Sequence, residues 1–574
     1  MTDTSSSDQQ VPPDALLTSS QPSLQALRAD VLRAARELAP PSDAADGHAQ
    51  GDRSRAGVTL ERPPRAEFGD YSTNAALLLA PRLGAPPREV AQRLGAELQT
   101  ALGASLERFE VAGPGFLNLF VSDAWLCEAL DGLLASGERL AAPAPGAAQR
   151  VLVEFVSANP TGPLHVGHAR NAAYGDALAR MLEFTGERVT REFYVNDAGT
   201  QVRAFGESIR ALARGETPPE GGYQGEYVGE LAAGLADAAT RDPADLGLAG
   251  VAAMLEQIRA SLLAFGVRDF DHWTYESELH RGDPSPVAHT LARLQELGHT
   301  YTHDGALWLR TTEFGDDKDR VLVRSSGEHT YFASDIAYHE DKRERGFDRQ
   351  INVWGADHHG YVPRMKAAYQ ALGGDPDELE LLIMQLVHLV RSGERAQMSK
   401  RAGEFVTLDD LVAEIGVDAA RWYLLARSHD TTVDLDLDLA RSESSENPVY
   451  YVQYAHARIC SVLAKAGGDR VQAALAQRDE APQPPLHPSE RALVKQLLDF
   501  PVELSAASER RAPHRIAAYA LELGQGFTAF YRDCRVVGAD SPQLESRRLA
   551  LCVASARTIA RSLHLLGVHA PQEM

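Results

Sequence analysis

Cysteine is scarce, with four in 574 residues at Cys127, Cys460, Cys534 and Cys552 and no C-x-x-C pair among them. That spacing supplies neither a disulfide framework nor a cysteine-type zinc site, and it points to a reducing compartment. Basic residues are outnumbered: 57 Lys+Arg stand against 80 Asp+Glu, for a formal net charge of −23. A protein that coats polyanions leans on a basic surface, so any nucleic-acid partner has to be met by local patches. No uninterrupted apolar run is long enough to span a bilayer, and the opening stretch MTDTSSSDQQVPPDALLTSS lacks the basic start and apolar core of a signal peptide. Residues 1–21 are therefore expected to form a disordered tail, and the protein to be cytoplasmic with no membrane partner. A Walker loop, a Gly-rich dinucleotide fingerprint and a G-x-S-x-G elbow are missing as well. P-loop ATPase, dehydrogenase and serine-hydrolase readings thus lack support.

What is present is ordinary globular composition, 44% apolar, in a chain too long for one core. Residues 22–122 read as a mixed segment, opening on the helical pattern LQALRADVLRAARELAP and closing on the strand-like FLNLFVS. Residues 123–149 read as a linker ending in LAAPAPGAAQ. From 150 to 430 the order RVLVEFVS, HARNAAYGDALARMLEFT, RVTREFYV gives strand, helix, strand, the unit of a parallel α/β sheet. Residues of about 200–300 read as a mostly helical insertion outside the sheet. A further strand is expected at QINVWGA, while LELLIMQLVHLV fits a strand or a buried helix. Residues 431–574 show helical periods only and predict a separate helical domain.

Three stretches carry candidate chemistry. In NPTGPLHVGHARN, His165 and His168 flank Gly167 where a strand turns into a helix. Backbone N–H groups and the positive helix end face one crevice there, and two imidazoles can donate to a phosphate. Taken alone, H-x-x-H is also compatible with a core pair, a surface pair or two of the ligands of a zinc site. AQMSKRAGEFVTL places Met398, Ser399, Lys400 and Arg401 in a small-residue loop, a solvated surface when isolated but a cationic clamp for a triphosphate when paired with HVGH. WGADHHG ends a strand with Gly355, which permits close approach, and Asp357, placed to accept from ribose hydroxyls. The same D-H-H cluster resembles the metal signature of the DHH phosphoesterases, a rival reading that needs further aspartates at other strand ends.

HVGH together with MSKR resembles the two signatures of class I aminoacyl-tRNA synthetases, and the surrounding text is similar to arginyl-tRNA synthetases in particular. VEFVSANPTGPLHVGHARN, YFASDIAYH, DAARWYLLARS, NPVYYVQYAHARIC, FGDYSTNAALLLA and VAGPGFLNLFV carry that likeness, which spans about 22–574. It implies a multidomain α/β plus α protein. The parts are a Rossmann-like parallel-sheet catalytic domain, an α+β N-terminal domain meeting the outer corner of tRNA, and an all-α anticodon-binding domain. It further implies activation of L-arginine by ATP, with Mg²⁺ accompanying the nucleotide, then transfer to tRNA-Arg, by a protein expected to be a monomer.

By resemblance, His165, His168 and Lys400 are catalytic. His165, Gly167, His168, Gly355, Asp357, Met398, Ser399 and Lys400 meet ATP. Glu154, Ser157, Asn159, Tyr331, Asp335 and His358 meet arginine. The loop departs from the usual K-M-S-K-S in having Gln397 for the first lysine and Arg401 for the last serine. For arginine, a rigid fork of five donors calls for carboxylates placed for paired acceptance. On the helix NPVYYVQYAHARIC, Tyr451, Tyr454 and Arg458 fall on one stripe suited to stacking unpaired bases, although an aromatic core stripe has the same spacing. No dedicated metal site is expected.

Overall fold

The computed structural model describes residues 23–38, 57–63, 65–140, 148–395, 406–476 and 484–574. They fall into two compact units, one of residues 1–141, 459–502 and 525–558, the other of 142–458, 503–524 and 559–574.

In the first unit a four-stranded antiparallel sheet is formed by 60–61, 71–73, 116–121 and 106–112, in that order, beneath helices Leu24–Leu38, Ala75–Leu83 and Pro87–Leu102. Gly95 lies where a Cβ would fall 2.3 Å from the Phe109 ring, so this residue lets helix and sheet close. Asp123–Ala135, the first half of the expected linker, is itself a helix: Ser122 caps it by accepting from Trp125 N, and Trp125, Leu126, Leu130 and Leu133 are buried. Buried Asp70 accepts from Val121 N (3.0 Å) and pairs with Arg491 (2.6 Å) and Lys495 (2.9 Å), some 420 residues on in the chain.

In the second unit the strands β1 (Arg150–Glu154), β2 (Arg188–Val195), β3 (His272–Tyr275), β4 (Arg349–Gly355) and β5 (Leu379–Met384) form one parallel sheet of order β5-β4-β1-β2-β3. Chain direction across the sheet reverses between β1 and β4, which opens a crevice at their C-terminal ends. Helix α1 (Val166–Phe184) follows β1, α2 (Tyr331–Glu344) precedes β4, and α3 (Val362–Ala371) follows it. RVLVE is almost wholly buried because helices cover both faces of the sheet. LELLIMQLVHLV resolves into β5 and a second strand, β6 (Val387–Arg391), which pairs in parallel with β7 (Val433–Asp436).

The insertion is helical at Thr200–Ala213, Glu226–Gly234 and Pro243–Ala264, but the expectation that it lies wholly outside the sheet is wrong. Residues 272–275 supply the edge strand β3, too short at four residues to show an alternating pattern. Residues 300–323 add a separate three-stranded antiparallel sheet. The C-terminal helices include α4 (Pro448–Ala466). Two helices, Pro243–Ala264 and Pro542–Leu566, are long and apolar enough to cross a membrane by length and composition alone, and 72% of the second one's apolar window is buried in the protein.

Candidate active site

A cleft of about 910 Å³ opens at the β1/β4 reversal. Its walls include Glu154, Ser157, Asn159, His165, Gly167, His168, Asp335, Gly355, Asp357 and His358, drawn from four sequence segments.

His165 is the N-cap of α1, and its Nδ1 accepts from Gly167 N at 3.0 Å. The His168 Nδ1 in turn accepts from His165 N at 3.3 Å, closing a capping box. Since both Nδ1 atoms act as acceptors, each neutral ring carries its proton on Nε2 and is a donor there. The rings stack with centroids 3.8 Å apart. Burial holds the His165 pKa below the usual histidine range, and burial with the neighbouring His165 pushes that of His168 down to about 3. The pair therefore meets a ligand as neutral donors. A Cβ on Gly167 would lie 2.8 Å from the His165 ring, so this glycine lets the histidine fold back over the helix start.

Lys400, Met398, Ser399, Gln397 and Arg401 lie outside the described residues. The described chain on either side borders the cleft: Arg395 and Val406 both line it. Val166 N donates to Val406 O (3.2 Å) and Leu408 N to Leu164 O (2.7 Å), so the segment after the loop is stitched to HVGH.

Beneath the cleft, register places Asn352, Glu154 and Glu192 side by side on β4, β1 and β2. All three are buried and are served from the region of α2. Lys342, fully buried, reaches Glu154 Oε2 (2.5 Å) and Asn352 Oδ1 (2.7 Å), and lies over the Tyr338 ring. Tyr338 and Arg345 donate to Glu192. Ser157 Oγ donates to Glu154 Oε1 (2.8 Å) and accepts from Tyr194 N (3.1 Å). Glu154 is thus already neutralised by Lys342 and held by Ser157.

Asp335 faces the cleft one turn into α2 and accepts from the Tyr361 hydroxyl. Burial raises its pKa to about 6, aided by the Glu154 charge and opposed by the Tyr361 hydrogen bond. Tyr331, one turn earlier, is 65% exposed and is not among the cleft-lining residues. The sequence reading missed Glu276, buried at the end of β3 beside Asn196, whose amide nitrogen, turned toward it, lies 2.8 Å from Oε2. Its pKa is pushed up to about 7, first by burial and then by Asp335 and Asp197. Burial is thus the first cause of both raised values, and the Asp335 charge adds to that of Glu276. A lone glutamate after a four-residue strand carries no signal by which sequence alone would find it.

At the other end, Gly355 approaches Asp357 so closely that a Cβ would lie 2.6 Å from its Oδ1. His358 Nε2 lies 3.4 Å from Asp357 Oδ2 and packs against Trp354. Among the described residues no group of three or more His, Cys, Asp or Glu side chains converges in a metal-binding cluster, so the donor set that the phosphoesterase reading needs is not assembled there. On α4, Tyr454 and Arg458 are exposed, Arg458 Nη2 donates to the Tyr454 hydroxyl (2.6 Å), and Tyr450 stacks on Tyr454. Tyr451 is half-buried, facing Gly524.

Residues 25–121 match the arginyl tRNA synthetase N terminal domain, 129–217 and 283–455 the catalytic domain of tRNA synthetases class I (R), and 452–574 the DALR anticodon binding domain. Glu276 and β3 fall in the stretch between the two catalytic-domain matches. An arginine–tRNA ligase of Moorella thermoacetica is 46% identical over 90% of this chain and 93% of its own length, and one of Nitratidesulfovibrio vulgaris is 44% identical over 90% and 96%. The structure of the Thermus thermophilus arginyl-tRNA synthetase superposes with a TM-score of 0.74 at 26% identity, covering 96% of this chain and all of that one. With a parallel sheet that reverses at a histidine-capped helix, and with family matches running from residue 25 to the last, the chain belongs to the arginyl-tRNA synthetase family of class I.

Proposed function

We propose that this chain activates L-arginine with ATP to arginyl-adenylate and transfers the arginyl group to the 3′-terminal adenosine of tRNA-Arg, releasing AMP and pyrophosphate, and that the β1/β4 cleft is where it does so. The observation carrying the site assignment is the placement, in one cleft, of two neutral imidazole donors at a helix N-terminus and a half-buried carboxylate, Asp335, whose charge also raises the pKa of Glu276. The first suits phosphate and the second a guanidinium.

His165 and His168 donate through Nε2 to phosphate oxygens and stabilise charge that develops at the α-phosphorus as the arginine carboxylate attacks. Gly167 and Gly355 let the nucleotide approach the backbone, Asp357 accepts from the ribose, and Lys400 with Met398 and Ser399 holds the departing pyrophosphate. Asp335, backed by Glu276, takes the guanidinium, with Tyr331 at the mouth. Ser157, Asn159 and His358 bound the α-amino and carboxylate end, and Glu154, which the resemblance assigns to the guanidinium, is already paired with Lys342. Lysine in place of arginine leaves acceptors unpaired, at roughly 1–3 kcal/mol per buried group. Catalysis rests on positioning and electrostatics, with no covalent enzyme intermediate.

Mg²⁺ prefers phosphate oxygens and water to all-protein cages, which fits a described chain that gathers no acidic trio. It would enter on the nucleotide and offset phosphate charge. The reading takes a cytoplasmic monomer as the working form and Tyr451, Tyr454 and Arg458 as tRNA contacts.

The test is aminoacylation of total tRNA with each of the twenty labelled amino acids, ATP and Mg²⁺, on wild type and His168→Ala. Arginine alone is charged, and the variant falls by about 10²–10³-fold. Absence of charging with every amino acid sinks the reading.

A further inference from the structure

Between β1 and α1 the chain makes an expensive turn. Val156 has φ +69° and Ser157 φ +39°, left-handed values that a β-branched residue seldom adopts. Ser157 N donates to Phe155 O at 3.0 Å, the two-residue-apart bond of a γ-turn centred on Val156 with positive φ, the rare and strained kind. Such a conformation persists only where its surroundings over-determine it.

The surroundings come from one face of α1. Asn171 Oδ1 accepts from Val156 N at 2.7 Å, and Asn171 Nδ2 donates to Val353 O on β4 at 2.8 Å. The two bonds fix which end of the amide is which. One turn later, Gly175 leaves the space into which the Phe155 ring packs: a Cβ there would fall 2.2 Å from Phe155 Cγ. Asn171 is 6% exposed and lies at the bottom of the cleft. What the turn achieves is visible one residue on, where Ser157 is brought back against Glu154 and Tyr194 N and Asn159 is presented to the cleft.

We propose that Asn171 is a positioning residue for the amino-acid subsite, clamping the strained turn at Val156 so that Ser157 and Asn159 face the α-amino and carboxylate end of the substrate. The proposal rests on the reading of this cleft as the arginine site. Losing the clamp lets Val156 relax to negative φ and swings the Ser157–Asn159 wall, while the histidines, anchored at the α1 N-terminus, stay in place. The penalty therefore falls on arginine and not on ATP.

The experiment is a double-mutant cycle on the full-length enzyme, with Asn171→Ala, Val156→Gly and the pair, measuring KM for arginine, KM for ATP and kcat in the presence of tRNA. Asn171→Ala is expected to raise KM for arginine by about tenfold or more, as a wall displaced by an ångström would, with KM for ATP within about twofold of wild type. Glycine adopts positive φ without a side-chain clash, so the effect of Asn171→Ala shrinks to about threefold or less in the Val156→Gly background. Equal effects of Asn171→Ala in both backgrounds, or parallel rises in both KM values, overturn the proposal. Should Asn171→Ala fail to fold, the same cycle is run with Asn171→Ser, whose folding is checked by thermal melting. A wild type that charges arginine while the Asn171 variants match it defeats this proposal alone. A wild type that charges nothing defeats the reading beneath it.

Discussion

The charge state of individual side chains decides how this cleft meets its ligands. With its pKa near 3, His168 has no ionisation in the physiological range, so its contribution is a hydrogen-bond donor and not a cation. Two consequences follow for measurement. His168→Gln, whose amide nitrogen donates from about the position of Nε2, is expected to retain on the order of tenfold more kcat than His168→Ala. The kcat/KM profile is also expected to lack an acidic limb near pH 6.5 from this residue. At the other end, Glu276 at about 7 and Asp335 at about 6 share protons near neutrality. Both folded values lie above the unfolded ones. The stability they contribute is thus present at low pH and is lost as pH rises through about 6–7. An arriving guanidinium restores it by replacing the protons. Arginine is therefore expected to bind more tightly, and to raise the melting temperature more, at pH 8 than at pH 5.5. Calorimetry at pH 7 in buffers of different ionisation enthalpy should show net proton release, and an arginine affinity flat over that range counts against these two carboxylates as the acceptors.

At the scale of elements, α1 does most of the organising. It begins on the two histidines, receives the strained turn on Asn171 and Gly175, and pins distant chain through buried Arg170, which donates to Gln385 O (2.7 Å) and Ser428 O (2.8 Å). Gly175→Ala forces a methyl into the Phe155 ring, an overpacking that costs about 1–3 kcal/mol. A lower melting temperature with a raised KM for arginine is the expected pair of results, since the displaced ring immediately precedes Val156. A variant that melts as the wild type does would mean that ring and helix part without cost.

Much of this element was legible in the sequence because its information is contiguous: HVGH, its flanking prolines and the following apolar helix sit in one window, as does WGADHHG at the end of β4. Lys342 was not legible. It lies in HEDKRERG, which reads as a solvated charged face, and its burial is set by Glu154 and Asn352, whose register opposite α2 no local pattern records. Glu276 was hidden for the same reason, and β3 because four residues are too few to display a period.

For the whole molecule the unresolved tension is electrostatic, since a chain of net charge −23 has to hold a polyanion. Coulomb repulsion over the full surface works against that partner, so affinity must come from local cations and from stacking, which is insensitive to salt. The described part of α4 offers both in one place, with Tyr450 and Tyr454 rings 6.3 Å apart and nearly parallel, and the Arg458 guanidinium 4.9 Å from the Tyr454 ring centre. The two kinds of contact separate in a salt titration of tRNA-Arg binding. Tyr454→Ala removes a stacking surface worth about 1–3 kcal/mol, so it is expected to lower affinity by a similar factor at every salt concentration and leave the log–log slope unchanged. Arg458→Ala removes an exposed positive charge and, if that charge meets a phosphate as proposed, is expected to flatten that slope by about one. Arginine and ATP KM values should move in neither variant. If Tyr454→Ala leaves tRNA affinity intact at both low and high salt, this helix face is not the stacking surface, and tRNA must be held by cations elsewhere in an acidic chain.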